Sequence, residues 1–137
     1  MGPIDLAHDG AGMNRSPFVL AAVAALIGAA GGALAAAGVH ANGGELALRG
    51  AEFLLLHACA ALAIAAFSGL PGAPARALVI VGFVMEAGAT LFAAELAAHA
   101  FLGVRIFPFA APIGGTTLIL SWIALAAVFA AATRRKA

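Results

Sequence analysis

The sequence predicts an all-α integral membrane protein, folded as an antiparallel four-helix bundle. Of its 137 residues, 64% are hydrophobic and 9% are charged, whereas a soluble domain of this length carries roughly 25% charged residues. The apolar residues form long continuous runs, and a membrane-crossing helix needs about 20 of them. Their continuity is unlike the alternating pattern of a membrane β-barrel. A soluble globular protein is therefore excluded.

Four spans are predicted, over residues 17–39, 48–69, 75–99 and 109–133. Pro17 suits a first helical turn, and the sequence Leu-Pro-Gly-Ala-Pro at 70–74 is a turn signal after the second span. The short linkers make neighbouring helices antiparallel. This division leaves a polar leader (1–16), a single four-helix transmembrane domain (17–133) and a basic tail (134–137).

The orientation follows from the basic residues, which are concentrated on the cytoplasmic side of membrane proteins. Five of them are predicted on the side of the termini and two on the other side, so both termini are expected in the cytoplasm. A cleaved signal peptide is the alternative for the first span. However, residues 1–14 contain two Asp and no Lys or Arg, which is a poor start for a signal peptide.

The charge balance and the small residues limit the kinds of partner that the chain can have. Seven Lys and Arg against six Asp and Glu leave no basic field for nucleic acid, and one cysteine excludes a disulfide framework. The expected partner is the lipid bilayer, and a homo-oligomer or a membrane-complex partner stays open. Small residues in the first span permit close helix packing, either within the bundle or at a dimer face; they include Gly28, Gly31, Gly32 and Gly38.

Ionisable residues inside the spans are costly in lipid and indicate functional positions. Sorted by depth, almost all polar residues fall in the middle or in the outer half of the spans, which predicts a polar pocket open to the outside. Its candidate residues are His57, Glu86, Glu52, Thr90 and Ser121. His57 and Glu86 could carry protons, or His57 could be a core histidine with satisfied hydrogen bonds.

Glu86 and Glu95 differ in the depth and in the face that they occupy. They are nine residues apart, which places them on nearly opposite sides of one helix. We expect Glu86 to face inward and to be protonated or hydrogen-bonded. Glu95 is close enough to the membrane surface for its carboxylate to snorkel there.

A weaker hypothesis is a transition-metal site at the outer ends of the spans, formed by His40, Glu95 and His99. Glu95 and His99 are four residues apart and share a helix face. The same three residues could instead simply mark the boundary between the helix ends and water. Haem would need a deep axial histidine, for which His57 is the candidate. No cofactor is predicted, and no catalytic motif is present.

Several short segments, in this order, resemble a known family: Gly-Val-His at 38–40, Arg-Gly-Ala-Glu-Phe at 49–53, His-Ala at 57–58, Ala-Pro-Ile-Gly-Gly at 111–115 and Ser-Trp at 121–122. The chain from Gly28 onward resembles the domain of unknown function 423 (DUF423) family of four-helix inner-membrane proteins. The resemblance implies a bacterial inner (plasma) membrane location and brings no reaction with it. The positions that match are His40, His57, Pro112, Gly114, Gly115 and Trp122. Glu86 and Glu95 depart from the family pattern.

Pro112, Gly114 and Gly115 also have a physical interpretation, in which they form a structural motif with Trp122. The proline begins the fourth helix without loss of a backbone donor, and the two glycines leave room for close packing. The function expected overall is a non-enzymatic structural or accessory membrane protein with an outward-facing polar pocket. The alternatives are a small transporter or proton- or ion-coupled protein that uses His57 and Glu86, and a metal- or haem-binding membrane protein.

Overall fold

The computed structural model describes residues 15–134, which form four helices: α1 (Ser16–His40), α2 (Gly44–Ser68), α3 (Ala75–Leu102) and α4 (Ala110–Arg134). Each helix is long and apolar enough to cross a membrane, and the described residues contain no strand. The predicted all-α four-helix bundle is confirmed. Residues 1–14 of the predicted leader and residues 135–137 of the basic tail lie outside the described residues.

The predicted helix ends need two corrections. Helix α2 begins at Gly44, four residues before the predicted span, and Arg49 and Glu45 form an exposed i,i+4 ion pair at 3.3 Å in its first turns. Helix α3 continues to Leu102, where Gly103 adopts φ +67° and its N–H bonds the carbonyl of His99. Both helices therefore continue beyond the predicted spans, α2 by residues 44–47 and α3 by the apolar residues 100–102.

Helix α3 lies at the centre of the bundle. It packs against α1, α2 and α4, whereas α1 packs mainly on α2 and α4 packs on α3. Within residues 15–134 the backbones of α2 and α4 do not approach each other closely, and aromatic side chains bridge them instead. The edge-on rings of Phe67 and Phe129, 5.6 Å apart, form one such bridge. Because α3 is covered on several sides, it can bury polar side chains on more than one face.

Small residues set the spacing between α1 and α2. A Cβ atom on Gly31 would lie 3.0–3.2 Å from Leu54 and Leu55, and one on Gly38 would lie 3.1–3.3 Å from Leu48 and Ala47. These two glycines therefore support packing within the bundle. Gly32 has nothing within 4 Å of such a Cβ position, so it lies on the open side of α1.

The loops at residues 41–43 and 103–109 lie at the same end of the bundle, because α1 and α3 both run towards it and α2 and α4 both start from it. We call this the two-loop end. The opposite end holds the turn at residues 69–74, where Ala73 N–H bonds the carbonyl of Leu70, as the Pro-Gly sequence predicted.

Candidate functional site

His57 is buried in α2 and both of its ring nitrogens are engaged. Nδ1 lies 2.7 Å from the carbonyl oxygen of Phe53, one turn earlier. The indole N–H of Trp122 in α4 donates to Nε2 across 3.4 Å. A nitrogen that accepts from an indole carries no proton, so Nδ1 holds the proton and donates it to Phe53. The ring is thus the neutral Nδ1–H tautomer.

This arrangement joins α2 to α4, whose backbones are far apart. Phe53 and His57 stack at 5.7 Å, and Phe53 also contacts Phe92 of α3 with ring centroids 4.5 Å apart. Together with Trp122, these rings tie three helices at mid-bundle. The role that the contacts support is structural, since neither ring nitrogen of His57 is free to bind a metal or haem.

Glu86 lies on α3 with 2% of its surface exposed. Neither of its carboxylate oxygens has a hydrogen-bond partner, and they are the only buried side-chain oxygen or nitrogen atoms without one among the described residues. The burial of Glu86 agrees with the prediction that it faces inward, whereas the hydrogen bond expected as the alternative to protonation is not formed. Burying a carboxyl group that has no hydrogen-bond donor destabilises the folded protein. Glu86 is the only buried side chain among the described residues whose oxygen or nitrogen atoms lack a partner.

The surroundings of Glu86 belong to α1 and α3. It lines a groove of about 570 Å³ together with Val23 and Ile27 of α1 and with Phe83 and Thr90 of its own helix. One turn before it, Gly82 admits Leu20 of α1, whose side chain would lie 2.5 Å from a Cβ atom there. Glu86 therefore faces the junction of α1 with α3.

The structure does not bring the five predicted pocket residues together. Glu86 and Thr90 share the groove beside α1, whereas His57 faces Trp122 of α4. Ser121 is buried and donates to the carbonyl of Thr117 in its own helix at 2.8 Å. Glu52 is exposed on the outer face of α2.

Glu95 is buried with 7% of its surface exposed, so the expectation that its carboxylate snorkels to the membrane surface is wrong. The physical reason is a donor in the following loop: Ile106 N–H donates to Glu95 Oε2 at 2.8 Å. The carboxylate thereby serves as the hydrogen-bond acceptor of the Ile106 amide in the loop between α3 and α4. An acid near a helix end can be held in place by such a donor as well as by water.

A cavity of about 170 Å³ lies at the two-loop end. It contains three ionisable side chains, those of Glu95, His99 and Arg105, and its wall includes Leu46 of α2 and Pro112 of α4. His99 and Arg105 are exposed. An acid beside two basic residues in a half-open cavity can hold a small polar or ionic molecule.

The cavity does not support the predicted metal site. Glu95 and His99 line it, but His40 does not, and His40 is exposed at the end of α1. Among residues 15–134, no three His, Cys, Asp or Glu side chains lie close enough to hold a metal ion.

Arg105 is the cavity residue that the sequence reasoning missed. In the sequence it is one of the two basic residues predicted on the side away from the termini. Its position in the short loop after α3, ten residues from Glu95, was the available signal, because a loop that short must fold back over the end of its helix.

The glycines of the Pro-Ile-Gly-Gly segment differ in their surroundings. A Cβ atom on Gly114 would lie 2.7 Å from the Phe92 nitrogen and 2.9 Å from the Gly88 oxygen, so α3 and α4 touch through their backbones here. Gly115 has only Phe92 Cδ2 nearby, at 4.0 Å. Pro112, at the start of α4, lines the cavity.

The family model described as "Protein of unknown function (DUF423)" matches residues 27–115, which include α2, α3 and the start of α4. No curated protein and no solved structure matches the chain.

Proposed function

The chain belongs to the DUF423 family, and from its own residues we propose that it is a non-enzymatic membrane protein that binds a small polar or ionic ligand at its two-loop end. The family match gives no sign of enzymatic activity. The observation that carries the proposal is the cavity that Glu95, His99 and Arg105 line together. In this role the protein is an accessory component of the bacterial inner membrane.

The distribution of charge supports an outward-facing cavity. Among the described residues, Arg15, Arg76 and Arg134 lie at the end opposite the cavity, and Arg49 and Arg105 lie near it. Positive residues favour the cytoplasmic side. The two-loop end then faces the periplasm and both termini lie in the cytoplasm.

The cavity also fits ligand binding better than ion or proton transport. His57 is committed to Phe53 and Trp122, and it does not share the groove of Glu86. A relay requires groups within reach of one another, so this pair gives no continuous path between the two sides.

Small molecules that co-purify with the protein test the proposal. Ala111 is half-buried and lines the cavity, so Ala111→Phe fills it, whereas Ala126→Phe adds the same bulk on an exposed face of α4. Mass spectrometry of the compounds released on denaturation should find a compound in the wild type and in Ala126→Phe that is depleted in Ala111→Phe. Equal release from all three proteins would contradict a ligand in this cavity.

A further inference from the structure

We propose that the groove between α1 and α3 is a second binding site, which takes a hydrophobic amine from the bilayer and holds its ammonium group on Glu86. This site is separate from the cavity at the two-loop end. Glu86 lines the groove, is 2% exposed and has two unpartnered carboxylate oxygens. These oxygens are acceptors that lack donors.

The chemistry of the groove selects an ammonium ion on an apolar body. An ammonium group supplies N–H donors together with the charge that complements a carboxylate. Phe83, three residues before Glu86, lines the same groove, and an aromatic face attracts a cation. Thr90, one turn after Glu86, adds a hydroxyl group.

The remaining wall accepts hydrocarbon. Val23 and Ile27 of α1 and Leu91 of α3 line the groove, and its volume of about 570 Å³ lies within the range of small-molecule sites, roughly 300–1,000 Å³. Most of the binding surface is therefore apolar, with one charged group that fixes the orientation of the ligand.

The depth of Glu86 favours a free amine over a phospholipid head group. Glu86 follows the first residue of α3, Ala75, by eleven positions, which corresponds to about 16 Å along the helix axis. Lipid head groups lie at the interface, at the ends of the helices. A hydrophobic amine has no lipid head group to hold it at the interface, so the whole molecule can enter the hydrocarbon and reach the depth of Glu86.

The test measures thermal stability in dodecyl maltoside, because a ligand that binds the folded protein raises its Tm. The probe is 4-phenylbutylammonium, and 4-phenylbutanol serves as its neutral analogue. We expect a saturable rise in Tm with the amine and a much smaller one with the alcohol. Glu86→Gln should weaken amine binding by about tenfold or more, as expected for a lost charge-assisted hydrogen bond.

Two variants keep the test decisive. Glu52→Gln makes the same chemical change on an exposed face of α2 and should bind the amine as the wild type does. Val23→Phe keeps Glu86 but fills the groove, and it should lose binding even if Glu86→Gln fails to fold.

Four results of the binding assay would overturn the proposal: no saturable shift in the wild type, an equal shift with the alcohol, undiminished binding by folded Glu86→Gln, or undiminished binding by Val23→Phe. An added phosphatidylethanolamine that displaces the amine would reassign the site to a lipid head group. Cross-linking of Val23→Cys between two chains would show that a second copy covers the groove, and it would overturn the proposal as well.

Discussion

Glu86 and Glu95 lie on opposite faces of α3, and each is buried against a different neighbour. Glu86 faces α1 across the groove, whereas Glu95 accepts a hydrogen bond from Ile106 in the loop before α4. One acid therefore has no donor, and the other holds a loop in place. This difference predicts opposite responses to substitution.

Replacement of Glu86 by methionine should raise stability. The apolar side chain has a similar size and removes two buried acceptors that have no partner. Such a replacement stabilises a protein by about 1–3 kcal/mol, the cost of burying an unpaired polar group. Unfolding in mixed dodecyl sulfate and dodecyl maltoside micelles, followed by circular dichroism, measures it. A loss of more than about 1 kcal/mol would indicate a partner for Glu86 that stabilises the folded state.

Replacement of Glu95 by leucine should release the loop between α3 and α4. The variant removes the acceptor of the Ile106 N–H, so the exchange of that amide hydrogen should accelerate by about tenfold or more, since hydrogen bonds to charged groups contribute about 1.5–3 kcal/mol. Hydrogen exchange resolved at Ile106 is the measurement. Glu95→Gln keeps a side-chain oxygen and should retain more of the protection of this amide against exchange. Equal exchange rates in the wild type and both variants would show that Glu95 does not bond the Ile106 amide.

Replacement of Trp122 by phenylalanine should weaken the connection between α2 and α4. An aromatic ring remains at this position, but the indole N–H that donates to His57 Nε2 is lost. One intramolecular hydrogen bond contributes about 1 kcal/mol. The free energy of unfolding should fall by that amount. Ile123→Ala, at an exposed neighbouring position of α4, is the control and should change stability less. A Trp122→Phe protein as stable as the wild type would mean that the indole N–H is not used.

The adjacent glycines of α4 should respond in opposite directions to alanine. At Gly114 the new Cβ would collide with the backbone of Phe92 and Gly88, and such overpacking costs about 1–3 kcal/mol. At Gly115 the nearest atom is 4.0 Å away, and alanine favours a helix over glycine by up to about 1 kcal/mol. The same unfolding assay compares the two variants. If Gly114→Ala were the more stable, the close approach of α3 and α4 would be wrong.

Much of the fold follows from the sequence because hydrophobicity and length decide it. Four apolar runs with short linkers leave an antiparallel bundle, and the turn at 70–74 carries its own signal. The start of α2 at Gly44 was harder to predict, because Glu45 precedes the predicted span and forms an ion pair with Arg49 inside it.

The candidate site was harder to predict because sequence depth does not show which neighbour covers each face of a helix. Glu86 and His57 both lie in the middle part of their helices, but α3 presents Glu86 to α1 while α2 presents His57 to α4. The burial of Glu95 depends on one amide in the next loop, which no periodicity in the helix encodes.

The central claim, a polar cavity that opens to the periplasmic side of the membrane, is tested most directly by labelling a single cysteine in it. Cys59 is exposed and is first replaced by alanine; Ala111→Cys then places a thiol in the cavity. Ala132→Cys, in a groove near the opposite end, is the control. If the cavity opens to the periplasm, a membrane-impermeant maleimide should label Ala111→Cys in intact cells and should label Ala132→Cys only after permeabilisation. The reverse pattern, or a folded Ala111→Cys protein that stays unlabelled in both conditions, would contradict it.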